Sequence, residues 1–405
     1  MTSLCLLYFV VEVQKVKIEQ HEHYLPETKE VLSASSTLGR ELGGKLGPFC
    51  FPTEEECSET IEEGSRPLLF VLTTEDGQRL FGAAQRWRRQ GNIPTAAGVL
   101  SAFPFFWNHL RLGALLSKEI EKGSSLENGV LDGGLPYPGT VQVQFSVGDG
   151  TISSTERLVP WVCEYKWMDF CFRIMFELLS DEDIALLIFT CLREEKLIFV
   201  HSDTTVLVAI SQAVIALLFP FAWRHTYVPV VPDIMSDVLQ CPTACIMGTT
   251  SAIFDEEYAE HAHLAENEVV VRLDHANTAG VETKRRAREL SPWVQCGRGA
   301  RPPPKLSLHF TNKLRDARRM CGNFSSPSTF STALPDIDRC EGTDANVSGE
   351  FGEAVRGALS EAYFEILHPY HRYFIPSLPS ISQEKGARKT ARELFDVEGY
   401  LSACD

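Results

Sequence analysis

Leu218-Phe-Pro-Phe-Ala-Trp223-Arg-His225-Thr-Tyr227-Val-Pro229-Val-Val-Pro232 is the stretch on which the fold of this 405-residue chain turns. It closes an apolar run, Thr204 to Trp223, that is long enough to span a bilayer. Ser211, Gln212 and Pro220 interrupt that run and no lysine-rich flank follows, so it reads as a buried helix, capped by Asp203 and stopped by Pro220. Thr226 to Val231 then returns as a strand. Just upstream, Lys196 to His201 carries Leu197-Ile-Phe-Val200, apolar on both faces, as a central strand under helices must be. Earlier still, a helix around Phe170 to Leu179 is followed by Ser180 and Asp183. That serine can accept an orphan backbone N–H while the acid sits well on a helix dipole, which predicts a second helix that starts near Asp181 and ends by Glu195. Helix, strand, helix, strand in this order implies an α/β layer.

Working towards the N-terminus, residues 1–148 read as a separate strand-rich lobe. Leu4 to Val13 lacks a basic leader and a small-residue cleavage site, and it is too short to cross a membrane, so it reads as a first strand. Leu68 to Thr73 runs into Glu75-Asp76-Gly77 and returns as Gln78 to Trp87, a hairpin with an Asp-Gly turn. After the apolar strand Ala96 to Phe103, the residues Phe105, Phe106, His109, Leu110, Gly113, Leu116 and Ile120 recur at helical spacing. Glycines at 123, 129, 133, 134 and 139 open a loop, and Val141, Val143, Phe145 and Val147 then alternate as a half-buried strand does.

Working towards the C-terminus, the composition shifts over residues 276–349, with Arg301-Pro302-Pro303-Pro304 and serine runs. This is expected to be a disordered insert or linker. Residues 284–319 hold eleven Lys or Arg against two acids, +9 in a chain whose formal charge is -16, so the rest stands at -25. The insert is a solvated basic linker or a weak contact for an anionic membrane surface. Residues 350–405 regain helical periodicity from Glu353 to Phe374, and a final helix is expected near Ala391. The acidic total excludes nonspecific nucleic-acid binding, because such a surface repels phosphates. Twelve scattered cysteines without a CxxC pair read as thiols of a reducing compartment.

Catalytic and metal patterns fail on inspection. Gly39-Arg-Glu-Leu-Gly-Gly44-Lys45 has the spacing of a phosphate loop, but position 46 is leucine where Mg²⁺ needs a hydroxyl, and no strand is expected before it. His261 and His263 lack the i, i+4 spacing of a zinc helix, and His368 and His371 read as packing residues. There is no GxSxG elbow and no dinucleotide fingerprint. No catalytic residue, metal ligand or cofactor site is expected.

The stretch from Leu218 to Pro232 resembles the signature of the central DENN region, and its neighbours agree in order. Leu187 to Ser202 resembles that family's helix-then-strand block, and Val238-Leu-Gln-Cys-Pro242 with Cys245-Ile-Met-Gly248 its short helix and closing strand. Phe49-Cys-Phe-Pro52, Phe70-Val-Leu-Thr73, Asp76-Gly-Gln-Arg-Leu-Phe-Gly82 and Phe103-Pro-Phe-Phe106 are similar to the upstream region. Phe364, Tyr370, Tyr373, Phe374 and Phe395-Asp396 are similar to the downstream one, which is then shortened. The resemblance implies a longin-like upstream lobe (1–148), a central α/β DENN lobe (149–275) and downstream helices (350–405) around the insert. It further implies a cytoplasmic regulator, peripheral on vesicle or endosomal membranes, that grips a Rab-type small GTPase and promotes GDP release without a cofactor of its own. A folliculin-like activating or scaffold role, or an inactive adaptor, are the alternatives, and activation would call for an exposed arginine such as Arg111 or Arg79. Expected GTPase contacts are Asp233, Asp237 and Gln240 on the short helix after the Tyr-Val-Pro strand, with Asn108 and Arg111 from the first lobe. Phe219, Phe221, Trp223 and Tyr227 are assigned to the core.

Overall fold

The first strand, β1 (Cys5–Ile18), sorts its side chains by the two-residue period of a strand. Leu7, Phe9 and Val11 enter one core with Leu46, Phe49 and Phe51, while Tyr8 and Val10 enter another on the opposite face with Trp87, Leu112 and Leu116. The computed structural model describes residues 5–18, 21–33, 41–58, 66–74, 77–89, 91–123, 130–132, 139–147, 150–158, 171–258, 264–274, 294–297, 304–320, 344–367, 374–375 and 394–395. Gly39, the Glu75-Asp76 pair, the His261/His263 and His368/His371 pairs, and Ala391 lie outside them.

Strand β2 (His21–Ser33), the hairpin strands β3 (Arg66–Thr73) and β4 (Arg79–Arg89), and β5 (Ile93–Ser101) complete an antiparallel sheet in the order β2-β1-β5-β4-β3. The hairpin pairs Thr73 with Arg79, and Gly77 turns it at φ +80°, a left-handed value that only glycine adopts freely. Helix α1 (Phe106–Glu121) packs across β4 and β5. This is the expected longin-like lobe. A small antiparallel sheet, β6 (Val130–Asp132), β7 (Gly139–Val147) and β8 (Gly150–Leu158), follows it.

The second lobe opens with α2 (Cys171–Leu178) and α3 (Asp181–Leu192). Ser180 caps α3 in a reciprocal box: its hydroxyl oxygen accepts the Asp183 N–H at 3.1 Å, and the Asp183 carboxylate accepts the Ser180 N–H at 3.1 Å. The helix ends at Leu192, before Glu195 as expected, and Glu194 takes a left-handed φ of +55° just beyond it. Strand β9 (Lys196–Val200) is buried at every position. Its two faces feed different cores, Leu197 and Phe199 one way, Ile198 and Val200 the other. Helix α4 (Thr204–Leu217) is likewise buried throughout, capped by Asp203. Among the described residues no helix is long and apolar enough to cross a membrane. Gln212, the polar residue that argued against a span, donates to the Tyr227 hydroxyl at 2.6 Å.

Strands β10 (Thr226–Val228), β11 (Cys245–Thr249) and β12 (Glu268–Arg272) run parallel to β9, and β13 (Val294–Cys296) closes the sheet antiparallel, in the order β10-β11-β9-β12-β13. Helix α5 (Ser251–Glu257) joins β11 to β12.

Several expectations need correction. The basic piece is not a structureless insert throughout: it contains β13, helix α6 (Pro304–Met320) and the start of α7 (Asp344–Leu367). Helix α6 buries Phe310, Leu314 and Ala317 against α3 and α7, and Phe310 meets Phe189 and Tyr363 edge-on at 5.0 and 5.2 Å. Burying Phe310 fully contributes about 2–3 kcal/mol. Its charge is also used inward, since Arg318 binds Asp181 at 2.8 Å and Arg315 binds Glu182 at 2.9 Å, both acids in the first turn of α3. The helical periodicity read as far as Phe374 does not hold there, since Phe374–Ile375 pairs as a strand with Leu394–Phe395. Finally, Phe219 and Phe221 are not core residues but are 40% and 42% exposed, because the chain leaves α4 at Leu218 and turns outward before Trp223 and Tyr227 bury themselves.

Candidate functional site

The two lobes meet along a seam that has an apolar interior and a polar edge. Leu69, Val71, Phe81, Ala83, Phe106 and Leu110 from the first lobe share one continuous core with α2, α3, α4 and β9 of the second. At the edge, the Thr73 hydroxyl donates to the Tyr227 carbonyl at 3.1 Å, and the Arg79 guanidinium donates to the Trp223 carbonyl at 2.9 Å while lying 4.7 Å from the centre of the Tyr227 ring. Arg79, half-buried, is therefore engaged at the seam.

Beyond β10 the chain bends at Pro229 and Val230, passes through an extended Pro232 and enters a 3-10 helix, Asp233–Gln240, here called the junction helix. Close approach fixes this entry: a Cβ at Gly248 would lie 2.1 Å from the Pro229 carbonyl oxygen, so only glycine lets β11 run beneath it. The Val231 N–H then donates to the Gly248 carbonyl at 2.7 Å. Pro232 offers no side-chain cap, and the Asp233 N–H instead donates across the seam to the Pro52 carbonyl of the first lobe at 2.8 Å. At the far end the Gln240 amide donates to the Glu257 carbonyl at 2.8 Å, and the Lys196 ammonium donates to the Leu239 carbonyl at 2.6 Å.

Of the expected contact residues, Asp233, Asp237 and Gln240 stand together on this helix, all exposed, and neither carboxylate is bonded to another described residue. Arg111 is half-buried on α1, in the other lobe, and no hydrogen bond among the described residues links it to the junction helix. The Asn108 side chain lies outside the described residues, although its backbone is in α1. Sequence reading passed over Ile234, 75% exposed, and its neighbour Met235, whose backbone departs from helical angles at φ -122° and ψ 17°. Ile234 and Met235 recur with Val238 and Leu239 at helical spacing, which reads as one buried face, so the sequence carried no signal that Ile234 stands exposed. Leu239 is the buried residue of this helix, so the surface it offers is an apolar tip flanked by carboxylates. Such a surface suits a protein partner with an apolar patch and basic surroundings rather than a small substrate. Among the described residues no group of His, Cys, Asp and Glu could hold a metal ion.

Comparison with known proteins agrees with this geometry. Residues 92–276 match the DENN (AEX-3) domain, a span that runs from β5 to just past β12 and includes the junction helix and the second-lobe side of the seam. The chain is 30% identical over 270 residues to DENN domain-containing protein 2B of Mus musculus, a match covering 60% of this chain and 23% of that protein. It is 29% identical over 265 residues to DENN domain-containing protein 2A of Homo sapiens, covering 60% and 26%. With DENN domain-containing protein 2D of Mus musculus it shares 26% over 246 residues, covering 58% and 51%. The matched part of the chain thus spans about a quarter of the length of the 2A and 2B relatives.

Proposed function

Because this chain carries a DENN domain over residues 92–276, we propose that it is a guanine nucleotide exchange factor that promotes GDP release from a Rab-type small GTPase. The observation that carries the proposal is the domain match over residues 92–276, joined to an exposed junction helix within it. An exchange factor needs no bond-making residue. It binds the GTPase more tightly when the nucleotide pocket is open, and by linkage whatever it takes from GDP affinity GDP takes from its own binding. Holding the switch segments away from Mg²⁺ and phosphate is sufficient, and GTP then reloads the empty site.

In this reading Asp233, Asp237 and Gln240 supply the polar contacts and Ile234 the apolar one, with Asn108 and Arg111 contributing from the first lobe. A cytoplasmic place of action and a weak contact between the basic insert, residues 276–349, and an anionic membrane surface belong to the same proposal.

The test is release of fluorescent GDP from a panel of purified Rab proteins. The chain should accelerate release from at least one of them. Reversing both charges, Asp233→Lys with Asp237→Lys, should lower the rate at subsaturating GTPase at least tenfold while the circular dichroism spectrum is unchanged. Faster GTP hydrolysis without faster GDP release would establish the activating role instead, and binding without either would establish an adaptor.

A further inference from the structure

We infer that Lys196 is a positioning residue, which holds the junction helix at the angle where a GTPase meets it; this rests on the exchange reading above. Lys196 opens the central strand β9 and is 8% exposed. Its ammonium has three N–H donors, and three acceptors surround it: the Leu239 carbonyl at 2.6 Å, the Tyr258 hydroxyl at 2.9 Å and the Glu268 carboxylate at 3.0 Å. Glu268, 3% exposed at the start of β12, is satisfied in turn by the Tyr258 hydroxyl and by the Ala265 N–H at 3.1 Å. Burial and the bond to Glu268 push the Tyr258 phenol upward, so it stays a donor.

A buried ion pair of this kind is a poor device for stability alone, because apolar residues of the same volume serve as well. What an apolar residue cannot do is bind the carbonyl near the end of the junction helix, where the positive charge also meets the negative end of the helix. The junction helix needs such an anchor. It buries Leu239, and its backbone is broken at Met235, so the packing of its own side chains does little to fix its direction. Its head is tied to the first lobe through Pro52, and its tail to the central sheet through Lys196 and to the end of α5 through the Gln240 amide. Removing the ammonium cuts the tail's bond to the central sheet and leaves it on Leu239 and the exposed Gln240 contact.

The experiment compares the native chain with Lys196→Met combined with Glu268→Gln, which removes the charge without stranding a buried carboxylate, and with Glu268→Gln alone, which keeps the ammonium on Leu239. In hydrogen exchange the double variant should lose at least tenfold in protection at Leu239, Gln240 and Cys241, while Leu197 to Val200 and Ile246 to Thr249 remain as in the native chain. Glu268→Gln alone should keep the helix protected. With the Rab protein that responds to the native chain, the double variant should raise the apparent KM about tenfold and leave kcat within twofold, a split that general destabilisation does not give. Uniform loss of protection, or an unchanged junction helix, overturns the inference. If no Rab protein responds, the exchange reading fails and the protection pattern still decides the role of Lys196. Should the double variant not fold, the native chain decides: Cys241 must exchange with the slow amides of β9, and exchange at the rate of surface loops overturns the inference.

Discussion

His109 shows what a single side chain contributes against its own chemistry. It sits on α1 with 0% exposure, and among the described residues neither ring nitrogen has a hydrogen-bond partner. Burial pushes its pKa down from 6.5 to about 3, so the folded protein holds the ring neutral. Above pH 6.5 folded and unfolded states agree and the group is silent. Below it the unfolded chain takes a proton that the folded one refuses, and stability falls, by about 2 kcal/mol at pH 5 relative to pH 7. His109→Leu should remove that part of the pH dependence, so that urea midpoints of variant and native chain separate between pH 7 and pH 5, with the variant the more stable at pH 5. The sequence placed His109 on the buried face of a helix through its spacing with Phe106 and Leu110, but it could not show that no partner waits there. The same limit explains Phe219 and Phe221. Residue type gave their preference for burial, while the outward turn of the chain after Leu218 decided their exposure. Ser180 and Asp183 were readable because a capping box is local, three residues long. The partners of Lys196 were not, since Leu239, Tyr258 and Glu268 lie 43, 62 and 72 positions away.

At the scale of elements, helix α6 is the clearest lesson. Its arginines made its surroundings look solvated, yet Phe310, Leu314 and Ala317 recur at helical spacing and bury one face, a period that the basic composition masked. Arg318 fastens this helix: besides Asp181 it donates to the Phe176 carbonyl at 2.7 Å and lies 4.8 Å from the centre of the Phe176 ring. Arg318→Ala should cost about 1–3 kcal/mol in urea unfolding. Arg319→Ala, which gives up an exposed 3.7 Å pair with Asp316 one turn apart, should stay within about 0.5 kcal/mol. Equal effects of the two would mean that α6 is not docked through Arg318. The central place of β9, by contrast, was legible from its run Leu197 to Val200, apolar on both faces.

For the whole molecule, the core that runs from Phe81 and Phe106 in one lobe to Leu207 and Phe310 in the other predicts a single cooperative unfolding event. Phe81→Ala removes a ring that meets Phe106 edge-on at 5.8 Å and should cost about 3–5 kcal/mol. Amides of β4 and β9 should then lose protection at one shared, lowered urea concentration; separate midpoints would make the lobes independent domains. Helix α4, buried on every side, carries this argument into protein synthesis. Part of its cover arrives late: the Tyr363 hydroxyl donates to the Leu217 carbonyl at 2.8 Å, and Phe310, Leu314 and Leu359 belong to the same core. A ribosome that has just completed the recognised domain, at residue 276, has made the most apolar helix of the chain but not yet the residues that close over it. A fragment expressed with those limits would also lack β1 to β4, four of the five strands of its first sheet. The region by which the protein is recognised is therefore not a region that can be cut out, and the nascent second lobe must wait for about ninety further residues, or be shielded, before it is safe from aggregation.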